Sequence, residues 1–117
     1  MKIAVVGSRE FKDIVLLRTI LCKAFSERRA DFVSGGARGV DTEASNFLKS
    51  WNPAIKQVIF KPEWDKYGKR AGFLRNELII NEADKIIAFW DGQSRGTKHS
   101  IDLAIKASKP IDIYVRS

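Results

Sequence analysis

The stretch Asp31-Phe32-Val33-Ser34-Gly35-Gly36-Ala37-Arg38-Gly39-Val40-Asp41 passes from a short apolar run, through three glycines and an arginine, into the start of a helical pattern. Val40, Ala44, Phe47, Leu48 and Trp51 then recur at spacings of three and four, which predicts a helix with one apolar face. Asn52-Pro53 stops it, because proline lacks the amide hydrogen and disfavours helix in the residue before it. A β-rich run that opens through glycines into a helix is half of a βαβ unit.

The same alternation continues outward in both directions. Upstream, Lys2 to Val6 reads as a strand, and Asp13 to about Arg28 as a helix carrying Ile14, Leu17, Leu21, Ala24 and Phe25 on one face. Downstream come a strand from Gln57 to Phe60, a polar and aromatic loop from Lys61 to about Lys69, and a helix over roughly Arg70 to Glu82. A strand from Lys85 to Trp90, a helix from Thr97 to Ala107 and a strand from Ile111 to Val115 complete the chain. Five strands alternating with four helices predict an α/β fold: a Rossmann-like three-layer α/β/α domain spanning 1–117, with a five-stranded parallel sheet in the order 3-2-1-4-5.

Composition narrows the classes. A hydrophobic fraction of 44% and a charged fraction of 30% suit a soluble domain, and no apolar run reaches the length of a membrane span. The N-terminal run turns polar at Gly7-Ser8-Arg9 before a signal-peptide core forms, so the expected location is the cytoplasm. Cys22 is the only cysteine, which excludes an internal disulfide, and its helical setting predicts a core position. The formal net charge of +7 raises the expectation of an anionic partner.

Glycine-containing segments follow strands one, two and four: Gly7-Ser8-Arg9, Gly35 to Asp41, and Gly92-Gln93-Ser94-Arg95-Gly96-Thr97-Lys98. In a parallel sheet all three lie on one edge, and ligands of open α/β sheets bind there, where strand order reverses. Glycine lets the backbone approach a ligand, and the helix starts that follow present unpaired N–H groups and a dipole suited to phosphate. The phosphate-binding candidates are Gly7, Ser8, Arg9, Ser34, Gly35, Gly36, Arg38, Gly39, Asp41, Gly92, Ser94, Gly96, Thr97 and Lys98, with Arg95 as a further cation.

Other positions admit two readings. Asp41 caps the second helix, or it holds a ribose hydroxyl or fixes the loop. His99 is the only histidine; a general base needs an orienting partner, which the sequence does not supply, and the alternative is a position on the surface or behind the site. The segment from Pro62 to Arg70 interleaves Trp64 and Tyr67 with cations, a mixture that suits base stacking and equally suits a packed lid or an oligomer contact. Arg75 and Asn76 interrupt an apolar stretch, and as partly buried polar groups they need either a ligand or a structural salt bridge. Trp64, Tyr67, Arg75, Asn76 and Trp90 are therefore the candidates for base or ribose contact.

Four segments, Val5-Val6-Gly7-Ser8-Arg9, Ser34 to Asp41, Gly68-Lys69-Arg70-Ala71-Gly72-Phe73-Leu74-Arg75-Asn76, and Ala88-Phe89-Trp90-Asp91-Gly92 with Gly96-Thr97-Lys98-His99, together resemble the SLOG superfamily, most closely its small YspA-like members. That superfamily groups the SMF/DprA proteins with the Lonely Guy nucleotide hydrolases. The resemblance implies a Rossmann-like fold and a pocket for nucleotides or nucleotide-derived ligands, often used in sensing. Gly7-Ser8-Arg9, Ser34 to Asp41 and Arg75-Asn76 are similar to DprA, a branch that binds single-stranded DNA.

Lonely Guy enzymes carry Pro-Gly-Gly-x-Gly-Thr-x-x-Glu, whose glutamate serves in cleaving an N-glycosidic bond; here Gly96-Thr97-Lys98-His99 is followed by Ser100 at the glutamate position. Asp91 and Asp102 are the carboxylates left to replace it, and a displaced carboxylate must still reach the reacting atoms. Arg75 matches an arginine important in that branch. Three functions follow as expectations: a nucleotide-binding sensor domain, a nucleotide N-glycosidase or phosphohydrolase, and a single-stranded DNA binder. No metal and no cofactor are expected, and the domain's small size and exposed aromatics suggest a homodimer or higher homo-oligomer.

Overall fold

The computed structural model describes residues 1–27 and 29–116. In chain order the elements are β1 (Lys2–Gly7), α1 (Ile14–Glu27), β2 (Asp31–Ser34), α2 (Val40–Trp51), β3 (Gln57–Ile59), α3 (Trp64–Tyr67), a 3-10 turn (Gly68–Arg70), α4 (Ala71–Glu82), β4 (Lys85–Trp90), α5 (Arg95–Lys106) and β5 (Ile111–Val115). The sheet has the order β3-β2-β1-β4-β5, and every pair is parallel. This is the expected Rossmann-like arrangement.

The two central strands are apolar at successive residues because both of their faces are covered. Ile3 and Val5 of β1, with Ile87 and Phe89 of β4, join Leu17, Leu21 and Phe25 of α1 and Val40, Ala44 and Leu48 of α2 in one core. Ala4, Val6, Ile86 and Ala88 point the other way, against Ile79 and Ile80 of α4 and Ile101 and Ala104 of α5. The alternation along each strand thus makes three layers. In register, Val5 lies beside Ile87 and Gly7 beside Phe89, so β1 and β4 end level with each other.

Asp13, read as the first helical residue, caps α1 instead: its Oδ1 accepts the amide of Leu16 at 3.1 Å. The expected end of that helix, Arg28, lies outside the described residues. The segment expected as a loop from Lys61 to Lys69 contains α3 and the 3-10 turn. Neither buries a residue, so no apolar periodicity marks them in the sequence. No helix among the described residues is long and apolar enough to cross a membrane.

Candidate functional site

The strand order places the switch point between β1 and β4, and the loops that leave them are tied together there. The Ser8 amide donates to Phe89 O at 2.9 Å. The Ser8 hydroxyl accepts the amide of Asp91 at 3.1 Å and is 3.1 Å from the Thr97 hydroxyl. Ser8, Thr97 and Ser100 are all buried.

The loop after β2 is braced from inside. The Asp41 carboxylate accepts the amides of Gly35 at 3.3 Å and Ala37 at 3.2 Å, while Arg75 Nη1 donates to the Gly35 carbonyl at 2.8 Å. Gly35 is therefore held at its amide from α2 and at its carbonyl from α4. A Cβ on Gly35 would overlap the Arg75 guanidinium, so any side chain there would displace Arg75 from this position. Gly39 has φ +83°, and a Cβ on it would lie 2.6 Å from Arg9 Cα, so the first and second loops pack backbone against backbone. No side chain caps the N-terminus of α2 or that of α5.

Between these loops lies a cavity of about 340 Å3, lined by Val6, Gly7, Ser8, Arg9, Ala37, Arg38, Asp41, Arg75, Asn76, Ile79, Ser94, Gly96, Thr97 and Ser100. Three arginines and a single carboxylate surround it. Burial raises the Asp41 carboxyl to about 6, against the lowering effect of the Ala37 amide and of Arg75. Burial likewise pulls the Arg75 guanidinium below its ordinary value, with Asp41 opposing. Arg75 makes no ion pair among the described residues; its partners are the Gly35 carbonyl and Asn76 Oδ1, the latter at 3.0 Å.

Not every candidate from the sequence reaches this cavity. Ser34, Gly35, Gly36 and Gly39 shape the β2 loop without lining the cavity, and Gly92 lies outside the lining too, beside Val115 of β5. Lys98 projects from α5 to pair with Asp102 at 3.0 Å, both side chains exposed, and Arg95 stands exposed at the start of the same helix. The Trp90 indole donates to Ser94 O at 3.1 Å and packs against the α4/α5 core. Trp64 and Tyr67 are exposed on α3, outside the cavity lining.

Neither Asp91 nor Asp102 lines the cavity. Asp91 accepts the amides of Ser94 and Gln93 and the Ser94 hydroxyl, and the Ser94 amide foremost draws its carboxyl down to about 2. It is an anion that shapes the turn into α5. Asp41 braces the loop, one of the roles read from the sequence, and its carboxylate accepts the amides of Gly35 and Ala37 rather than those of its own helix.

The partner of His99, not apparent in the sequence, is Asn76, whose Nδ2 is 3.3 Å from His99 Nδ1 and 3.4 Å from Gly96 O. The Phe73 ring meets the imidazole edge-on at 4.6 Å. Phe73 and Asn76, three apart on one helix, share the face that meets His99.

The fold and cavity define an open α/β domain of Rossmann type with its crevice at the carboxyl ends of β1, β2 and β4. No family model matches the chain. It is 32% identical to the Gene 61 protein of Mycobacterium phage D29 over an alignment of 120 positions, covering 94% of this chain and 93% of that protein, and it belongs to the family of that phage protein. Among solved structures it is similar to DNA processing protein A from Helicobacter pylori, described for its single-stranded DNA binding mode, with a TM-score of 0.74 and 24% identity over 97% of this chain. The chain spans 64% of that protein's structure. The molybdenum cofactor carrier protein of Chlamydomonas reinhardtii is also similar, with a TM-score of 0.69 and 18% identity over 98% of this chain and 77% of that one. At these identities the likeness is one of fold.

Proposed function

We propose that this chain is a small YspA-like SLOG domain that binds a nucleotide or nucleotide-derived phosphate ligand in the crevice, as a sensor or carrier of that ligand rather than as a hydrolase. The observation that carries the reading is the convergence of two side-chain-uncapped helix N-termini with Arg9, Arg38 and Arg75 on one preformed cavity. Uncapped N–H groups and guanidinium forks are the donors that a phosphate's oxygens require. A volume of about 340 Å3 lies at the small end of ligand cavities, which favours a mononucleotide-sized occupant. Against hydrolysis stand Ser100 at the glutamate position and the engagement of Asp91 within its own turn.

Thermal unfolding with AMP, ADP, ATP, ADP-ribose, NAD, cyclic nucleotides and a short single-stranded DNA tests this. A ligand at about 100 times its Kd adds about 2.7 kcal/mol, a rise on the order of 10 °C for a domain of this size. A selective shift that persists at moderate salt supports the pocket; no shift with any nucleotide sinks it.

The net charge of +7 and the exposed Trp64, Lys66, Tyr67, Lys69 and Arg70 favour a second reading, single-stranded nucleic acid laid across the crevice. That reading requires affinity that falls steeply with salt, by about 0.7 in log K per log salt for each phosphate neutralised. We further propose that the chain is one domain, acts in the cytoplasm and forms a homodimer or higher homo-oligomer, the last of which light scattering in solution checks directly.

A further inference from the structure

His99 does not line the cavity, yet it stands at the end of a hydrogen-bonded row that reaches it: Arg75 Nε to Asn76 Oδ1 at 3.0 Å, then Asn76 Nδ2 to His99 Nδ1 at 3.3 Å. The polarity of this row is fixed by chemistry. A guanidinium only donates, so the amide atom facing Arg75 must be the oxygen. The NH2 group then faces His99 and donates, so Nδ1 must present a lone pair. The imidazole satisfies this only when neutral, with its proton on Nε2.

We infer that His99 is a positioning residue for the pocket: in its neutral Nε2–H form it holds Asn76, and through Asn76 it holds the Arg75 guanidinium over the Gly35 carbonyl at the cavity wall.

A charged imidazole reverses the row. With both nitrogens protonated, Nδ1–H faces the Asn76 NH2, donor against donor. Flipping the amide only moves the conflict to Arg75 Nε. Asn76 is 7% exposed, so it has little water to turn to. Either response frees Arg75 from one of its two anchors. Protonation of the ring therefore undoes the positioning.

The other ionisable residues within one turn of Asn76 on α4 and of His99 on α5 are Arg75 and Glu77, and Arg95, Lys98 and Asp102. The faces of β1 and β4 turned to these helices carry Ala4, Val6, Ile86 and Ala88. Asp41, raised to about 6, acts on the same loop from the opposite side, so the test must separate the two.

Because the chain has a single histidine, the imidazole nitrogen signals of the 15N-labelled, untagged protein belong to His99. At pH 7.5 they are expected to show the Nε2–H tautomer, and the Asn76 side-chain amide should move with the same pH midpoint as the ring. His99→Asn places Oδ1 near the former Nδ1; it should preserve the Asn76 and Arg75 Nε signals and abolish their pH dependence while Asp41 still titrates. His99→Phe removes the acceptor and should displace both signals at every pH. An Nδ1–H tautomer, or an Asn76 amide indifferent to the ring's charge, overturns the proposal.

The effect on the pocket rests on the reading of that cavity as an anion site, and inorganic phosphate at pH 7.5 probes it. His99→Phe should weaken phosphate about fivefold to tenfold, the loss of one hydrogen bond, while His99→Asn holds within about twofold. Equal phosphate affinity in all three proteins overturns the positioning role. Wild-type protein that takes no phosphate overturns the pocket reading instead, and the ligand-free spectra still decide the role of His99.

Discussion

Replacing Asp41 by asparagine isolates what a buried carboxylate costs this fold. The asparagine carbonyl can accept the same two amides, Gly35 and Ala37, so the loop keeps its brace and loses only the charge. The carboxyl sits at about 6 in the folded chain against an ordinary 3.8, with burial the leading cause. At about 1.4 kcal/mol for each pH unit, the ionised form is about 3 kcal/mol less favourable in the folded state than in the unfolded one. The group is nearly fully buried, so solvent screening does little to reduce this.

The sign follows from proton uptake: between about pH 4 and 6 the folded chain holds a proton that the unfolded chain has released, so stability falls as pH rises. Below this window the penalty is absent, and above it the penalty is complete. Urea unfolding of both proteins from pH 3.5 to 7.5 is the assay. The stability of the wild type minus that of Asp41→Asn should drop by about 3 kcal/mol across the range, most of it before pH 6. A difference that stays flat, or that rises with pH, refutes the reasoning. It would mean that Arg75 and the loop amides compensate the charge in full.

Two other perturbations probe separate parts of the molecule. The Lys109 ammonium donates to the carbonyls of Ile80, Asn81 and Ala83 at 2.6, 2.9 and 2.7 Å, closing the end of α4, and Lys109→Met should cost about 1–3 kcal/mol by urea unfolding without changing ligand affinity. Arg38 is exposed on the cavity rim, so Arg38→Ala should leave the melting temperature of the free protein within about 2 °C and weaken nucleotide binding about tenfold by calorimetry, as expected for one charge-assisted contact.

Much of the fold was legible because its elements carry their own punctuation. α2 coincides with its apolar stripe, since Gly39 opens it and Asn52-Pro53 closes it, and β2, β4 and β5 match their apolar runs. The crevice was legible as a cluster of glycine segments because a parallel sheet brings all strand ends to one side. Which side chains enter it was less so. Lys98 was grouped with Gly96 and Thr97 by proximity along the chain, but one residue on a helix turns the side chain by about 100°, which sends Thr97 inward and Lys98 to solvent.

Trp90, a candidate for base or ribose contact, has its indole taken by Ser94 O. The grip of Arg75 on Gly35 spans 40 positions and joins a guanidinium to a backbone carbonyl, a pairing with no residue-type signature. Reading Arg75 as bound either to a ligand or to a carboxylate overlooked the third kind of partner, the main chain.

The cross-link from Ser8 to Thr97 and Asp91 also bears on the thermodynamics of recognition. Fixing a backbone residue consumes roughly 1–2 kcal/mol of chain entropy, and a flexible loop incurs that loss at the moment a ligand arrives. Here the loss falls on folding, because the turns at both sides of the switch point are already immobilised by one buried hydroxyl. In the proposed pocket a small ligand with few contacts would therefore be held tightly, and association should proceed without a slow rearrangement step. The same rigidity would set the selectivity of the proposed pocket, since a crevice whose walls are fastened together widens poorly for a bulkier guest.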